Sequence, residues 1–373
     1  MRRNLLNIYN LSIKELRTLF HDKVMLALII YSFSFAIYIG STAVSTEIKN
    51  ASIAFVDEDK TTLSNRIIDS FLKPKFNKPD IISLDEVDKT MDAGYYTFVV
   101  VIPSNFEKDI YSGHIPSIQV NIDATRMTQS AIGASYIQSI ISAEISRYLN
   151  TESSSSTIEI VNRYKYNPNL DGSWFGAVNE IINNIIMLSI LLSAAALIRE
   201  REHGTIEHLL VLPLNSFEIM LSKILSVTFI IIICVVFSLT IVLQTILQVP
   251  INGSLYLYLF CTFLVLFSTT SMGIFIGTIA KNMPQMGMIF ILAILPLLLL
   301  SGGLTPYESM PLVIQYIMYC MPTSHFVEIS QAVLFKGATI DIVWKGMLSI
   351  FLIGVVFFFL TFIFFRRSLD LQK

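Results

Sequence analysis

Six nearly uncharged apolar runs constrain this chain more than anything else in it: Val24–Val44, Trp174–Ile198, Ile224–Gln248, Leu255–Ala280, Met288–Leu300 and Trp344–Phe365. Val24–Val44 alone is long enough, as a helix, to bridge roughly 30 Å of hydrocarbon. The expected fold class is therefore a polytopic α-helical membrane protein of about six transmembrane helices. Charged residues are 14% of the chain and mean hydropathy is +0.64, against about a quarter charged in a soluble domain. Val24–Val44 exceeds a signal-peptide h-region and follows a polar segment, so a retained first span is expected rather than a cleaved leader. The formal net charge of −2 points away from polyanionic partners, and nucleic-acid binding is not expected.

Basic residues set the expected orientation. Arg2, Arg3, Lys14, Arg17 and Lys23 precede the first span and Arg366 and Arg367 follow the last, which places both termini in the cytoplasm. Within residues 1–23, Leu5, Ile8, Tyr9, Ser12, Ile13, Leu16, Leu19 and Phe20 recur at three- and four-residue steps. That spacing predicts an amphipathic helix lying in the interface, with a plain juxtamembrane leader as the alternative.

Residues 45–175 form the one large polar block. Short β-rich runs at Ser52–Val56, Ile81–Ser83, Thr97–Ile102 and Ile118–Ile122 alternate with helical stretches at Thr61–Leu72, Asp85–Asp92 and Ser104–Tyr111. The alternation predicts an inserted α/β domain, extracytoplasmic because the first span starts inside. Arg126–Asn150 reads as a long helix, and the serine run 153–156 as a loop tip. Residues 176–373 then carry five further spans. Within them, 301–336 is too apolar for an exposed loop and too broken by Gly302, Gly303, Pro306, Pro311 and Pro322 for one helix. It is expected to be an outer, half-inserted pair of short helices, since irregular backbone near a bilayer needs protein or water around it.

Between the second and third spans, Arg199–Pro213 reads REREHGTIEHLLVLP. Charges at this density cannot enter hydrocarbon, where each costs several kcal/mol. The stretch must sit on one membrane face, as a docking element or as an ordinary solvated loop. Glu180, Asn183 and Asn184 lie in the outer half of the second span. They are candidates for lining a path, with helix–helix hydrogen bonding as the competing role.

Enzymatic chemistry is not expected. The dipeptide Gly-Lys is missing from the chain, so no Walker loop is available to hold ATP. His203 and His208 lack zinc-protease spacing. Asp57, Glu58 and Asp59 fit turn and N-cap chemistry better than a cation site. No catalytic residue, metal site or bound cofactor is predicted. The three cysteines, Cys234, Cys261 and Cys320, fall in apolar stretches and read as buried thiols. Gly273 and Gly277 form a small-xxx-small pair for close helix packing. The span centres are aliphatic, without the buried carboxylates or basic groups of ion-coupled carriers.

Several separated motifs resemble one family in the right order. Arg199–Pro213, followed by Phe217, Glu218 and Lys223, resembles the signature of ATP-binding-cassette exporter permeases of the second type, also called type V exporters. Ala54–Ser64, Val99–Gly113 and Gln119–Ile141, with Tyr166, Asn167 and Pro168, are similar to the subgroup with a large extracytoplasmic domain. Leu300–Pro311 and Pro322 match its outer re-entrant segment. The resemblance, to a multidrug- or lipid-export-like subgroup, implies the permease subunit of an ATP-driven exporter in the cytoplasmic membrane; members export drugs, lipidic molecules, polysaccharides or ions, so it names no cargo. It implies six spans, a second permease copy or paralogue, and two separate ATPase subunits that would hold ATP and Mg; a periplasmic adaptor is left open. It makes 199–216 the coupling helix and the N-terminal helix a second contact, and it carries ATPase coupling to Arg199, Glu200, Arg201, Glu202, His203, Gly204, Thr205 and Glu207. Ser222 stands where many members have glycine. Span composition favours an amphipathic or lipophilic cargo. The alternative from another class is a membrane-anchored sensor or scaffold whose outer domain binds a ligand or envelope partner.

Overall fold

The computed structural model describes residues 2–43, 50–114, 116–123, 127–149, 172–204, 214–303 and 310–370. The chain divides into two compact units, Met1–Ala43 with Trp174–Lys373, and Val44–Ser173.

The first unit is helical. Helix α1 (Arg2–His21) ends where Asp22 begins α2 (Lys23–Phe33), its carboxylate accepting from the Val24 and Met25 amides and so satisfying two orphan donors of the first turn. The first span is then interrupted at Ser34 and resumes as α3 (Phe35–Ala43). Two carbonyls just before the break are occupied by side chains from elsewhere. Asn184 Nδ2 donates to Ser32 O at 2.7 Å, and Ser238 Oγ to Phe33 O at 2.6 Å. A helix can be interrupted inside hydrocarbon only where neighbours satisfy its backbone in this way.

Helix α8 is reached after the second unit and runs 31 residues from Gly172 to Glu202, about 46 Å of rise. It outspans the hydrocarbon, so its last turn stands clear of it. Most of α8 is buried, including Ile181, Ile182, Ile185, Ile186, Leu188 and Leu192, and the other spans wrap around it. Helix α9 (Ser216–Phe237) opens on an Asn215/Glu218 capping box and continues as a nine-residue π-helix, Ser238–Ile246. Helix α10 (Leu255–Ile279) lies against α8 at Gly273, where a Cβ would stand 2.0 Å from Ser193 Oγ and 2.4 Å from Ile190 O. Here the small-residue pair does what its spacing predicted. Helix α11 (Met283–Leu299) starts at an Asn282 cap with Pro284 in its first turn. Short helices α12 (Leu312–Tyr319) and α13 (Pro322–Leu334) follow, and then α14 (Ile340–Asp370). Phe267 of α10 stacks on Phe351 and Phe358 of α14.

Among the described residues, five helices are long and apolar enough to cross a membrane, with Met283–Leu299 as a shorter sixth, so the expectation of about six spans holds. One expectation fails. Cys261 is buried and Cys234 partly so, but Cys320, just past α12, is exposed; an apolar neighbourhood in sequence did not ensure burial on a short helix packed on one side.

The second unit is a four-stranded sheet in the order β2-β1-β3-β4. Its strands are β1 (Ile53–Asp57), β2 (Asp80–Ile81), β3 (Phe98–Ile102) and β4 (Gln119–Ile122). The first three neighbours run parallel and β4 antiparallel to β3. Period-two alternation sorts the side chains by face. Ile53, Phe55, Phe98, Val100 and Ile102 join the core under α4 (Thr62–Asp69), α6 (Phe106–Tyr111) and α7 (Met127–Tyr148). Ala54, Val56 and Val99 pack on the other face with Val87 of α5 (Val87–Asp92). The α/β expectation is borne out, and Ile137 and Ile141 of the predicted long helix are buried. The Asp57 carboxylate accepts from the Asp59 and Lys60 amides and from Ser64 Oγ, so it serves the turn and cap. The serine run lies outside the described residues.

Candidate functional site

The sequence predicts a charged helix over 199–216 after the second span. Arg199–Glu202 form the last turn of α8, and residues 205–213 of that helix lie outside the described residues. Successive residues of a helix project about 100° apart, so four consecutive charged side chains reach four directions, and each finds a different element.

Arg199 pairs with Asp22, the residue that caps α2. Glu200 is buried and pairs with Lys14 of α1 through one oxygen and with Lys223 of α9 through the other, the latter at 2.7 Å. Arg201 donates to the carbonyls of Thr278 and Ala280, at the C-terminal end of α10. Those are the orphan acceptors a helix end leaves, and the negative pole of its dipole favours a cation there. Glu202 Oε1 accepts from the Met283 amide at 2.9 Å, at the opposite pole, the N-terminus of α11. His203 is exposed and its Nδ1 lies 2.8 Å from Arg199 O. Gly204 follows at φ +67°, the left-handed residue that commonly closes a helix because it has no Cβ to clash. Thr205 and Glu207 lie outside the described residues.

The centre of this hub is Lys223, 1% exposed. Its ammonium lies 2.9 Å from Glu15 Oε1 and 2.7 Å from Glu200 Oε2. With Lys14 the group holds two cations and two carboxylates, a balance that burial demands because an unpaired ion would retain its full desolvation cost. Helix α1 is seated by the same contacts. Asn7 donates to Glu218, Ser226 donates to Ser12 O at 3.1 Å, and Ile8, Glu15 and Leu19 form its buried stripe. A second stripe of α1, Leu5, Leu6, Tyr9 and Phe20, faces outward.

Sequence reasoning passed over Glu15 and Asp22 and gave Lys223 no partner. A signal existed: Glu15 is an acidic residue at helical spacing between Ile8 and Leu19, and a charge on an apolar stripe needs a counter-ion where it packs. The three candidates in the outer half of α8 separate. Asn184 is buried on Ser32 O, the helix–helix role. Glu180 is partly buried beside Gly40, and Asn183 is partly exposed. Asn179, not singled out before, donates to Gly303 O at 2.8 Å.

Apolar spans, an α/β insertion and a charged hub together are the features of a transporter membrane subunit. The chain belongs to the ABC-2 family of transporter proteins, whose family model matches residues 24–363. It is 48% identical over 369 residues to the inner membrane transport permease YhhJ of Escherichia coli strain K12, covering 98% of this chain and 99% of that one. It is 28% identical over 367 residues to a protein of the same strain named "Probable multidrug ABC transporter permease YbhR", covering 97% and 98%. A third relative there, of the same description but named YbhS, is 27% identical over 382 residues, covering 96% and 97%. The protein is thus a multi-pass inner-membrane permease subunit without an ATPase domain, and its family implies ATPase partners.

Proposed function

We propose that this permease exports an amphipathic or lipophilic molecule, driven by two separate ATPase subunits and working beside a second permease copy or paralogue. The hub lies on the cytoplasmic face. The segment from His203 through Thr205 to Glu207 meets the ATPase, and Arg199–Glu202 distribute its movement. ATP and Mg belong to the partner subunits.

One observation carries this reading: four consecutive side chains fasten the end of α8 to α1, α2, α9, α10 and α11. A push delivered just beyond Glu202 therefore cannot move α8 alone. It moves the N-terminal helix and the inner ends of five spans as one body. Energy transfer then requires only that the ATPase dimer contact two permease states unequally. The cargo class rests on the apolar spans and on relatives described as multidrug permeases.

The test is a charge swap across an exterior pair of the hub. In vesicles reconstituted with the matched ATPase, Asp22→Arg and Arg199→Asp are each expected to leave ATP hydrolysis running while transport falls at least tenfold. The double swap is expected to recover transport. Full coupled transport in both single variants would refute the relay.

A further inference from the structure

Beside α13 and the first turns of α14 lies a cleft of about 850 Å³, a size that holds small-molecule ligands. Its walls combine two chemistries. Ile329, Ile342 and Val343 are apolar, whereas Glu328, Lys336 and Lys345 bring charge. These three line one cavity, yet no ion pair joins any of them to another described residue. A lining hydroxyl, Ser324 Oγ, is enclosed and has no hydrogen-bond partner among the described residues.

Depth gives the cleft its meaning. Lys345 is five residues into α14, about 7–8 Å along the axis. Beside it Trp344 is 49% exposed, and tryptophan collects at the level of lipid head groups. The far end of α14 carries Phe365, which packs with Leu197 of α8 and Ile219 of α9 near the hub. The cleft therefore opens at the membrane face opposite the hub. Lysines near span ends commonly reach for water and bind nothing. Here they instead border one open cleft together with a buried, unpartnered hydroxyl and the apolar side chains of Ile329 and Val343.

We propose that this cleft binds the anionic head group of an amphiphile. Lys336 and Lys345 hold the head group, Ser324 donates to it, and Ile342 and Val343 lie along the tail. Glu328 leaves the three charged residues with one net positive charge, which selects a monoanion such as a phosphodiester or carboxylate. The proposal deepens the amphipathic-cargo reading and rests on it only for a role in export.

The full chain carries two tryptophans, so Trp174→Phe leaves Trp344 as the sole reporter. In nanodiscs, dibrominated phosphatidylglycerol is expected to quench Trp344 several-fold more than dibrominated phosphatidylcholine at equal mole fraction. Bromoundecanoate added to phosphatidylcholine discs is the second arm. Quenching by the lipid alone assigns the site to a head group in the bilayer, and quenching by both admits free amphiphiles. The preference should vanish in Lys336→Gln/Lys345→Gln and grow in Glu328→Gln. Equal quenching by all three probes, or a preference untouched by the lysine and glutamate variants, overturns the proposal. Export assayed in parallel separates the two readings. Anionic preference without export of any amphiphile removes the cargo reading and keeps the site, and export without preference removes the site.

Discussion

Lys223 is enclosed by two carboxylates with almost no access to water. Deleting one partner of such a group strands the others, which costs about 3–5 kcal/mol. Lys223→Met is therefore expected to lower the thermal midpoint of the purified protein sharply, as Glu15 and Glu200 lose their shared cation. Adding Glu15→Leu should restore much of the loss, because Lys14 still pairs with Glu200 and an apolar contact replaces the orphaned ion; scanning calorimetry of both variants decides it. The participants were partly legible. Lys223 and Arg199–Glu202 stood out as charges beside apolar runs. Their pairing did not, because Glu15 and Lys223 are 208 residues apart and only the packing of α1 on α9 joins them.

Elements were read well wherever periodicity was strong. The strand alternation and the long helix over Met127–Tyr148 followed from spacing. The interruption at Ser34 was not legible, since no glycine or proline marks it. It exists because Asn184 and Ser238 supply donors to Ser32 O and Phe33 O. Asn184→Leu with Ser238→Ala is expected to leave those carbonyls unmatched, at about 1–2 kcal/mol in total. Hydrogen exchange should then rise at the amides of α3 and stay unchanged in the sheet. In the α/β unit, Tyr148 donates to Glu107 at 2.6 Å and holds its carboxyl below the usual range. A carboxyl lowered on folding adds stability above its unfolded pKa, near 4.3, and that increment is lost as pH falls through the folded value. Tyr148→Phe should therefore flatten the acid limb of a denaturation-versus-pH curve while leaving stability above pH 8 changed only by the lost bond. An unchanged acid limb would remove Glu107 from the account.

For the molecule as a whole, the decisive arrangement is a central α8 whose final turn grips its neighbours. Isolated from its native membrane, the permease is expected to elute with a Walker-type ATPase, one ATPase per copy of this chain where the second permease is another copy and two where it is a paralogue. Quantitative mass spectrometry of the complex checks this, and a preparation active in transport without any ATPase would contradict it. What the sequence alone determined is what composition and period dictate locally: apolar runs that only a bilayer can accept, an α/β insertion, and a charge cluster barred from hydrocarbon. What only the tertiary structure decided is where those charges turn. Side chains 100° apart on one helical turn have no partner in sequence; packing against other helices supplied them. For Glu200, the buried one of the four, counter-charges are required, because an ion withdrawn from water persists only where an opposite charge awaits it.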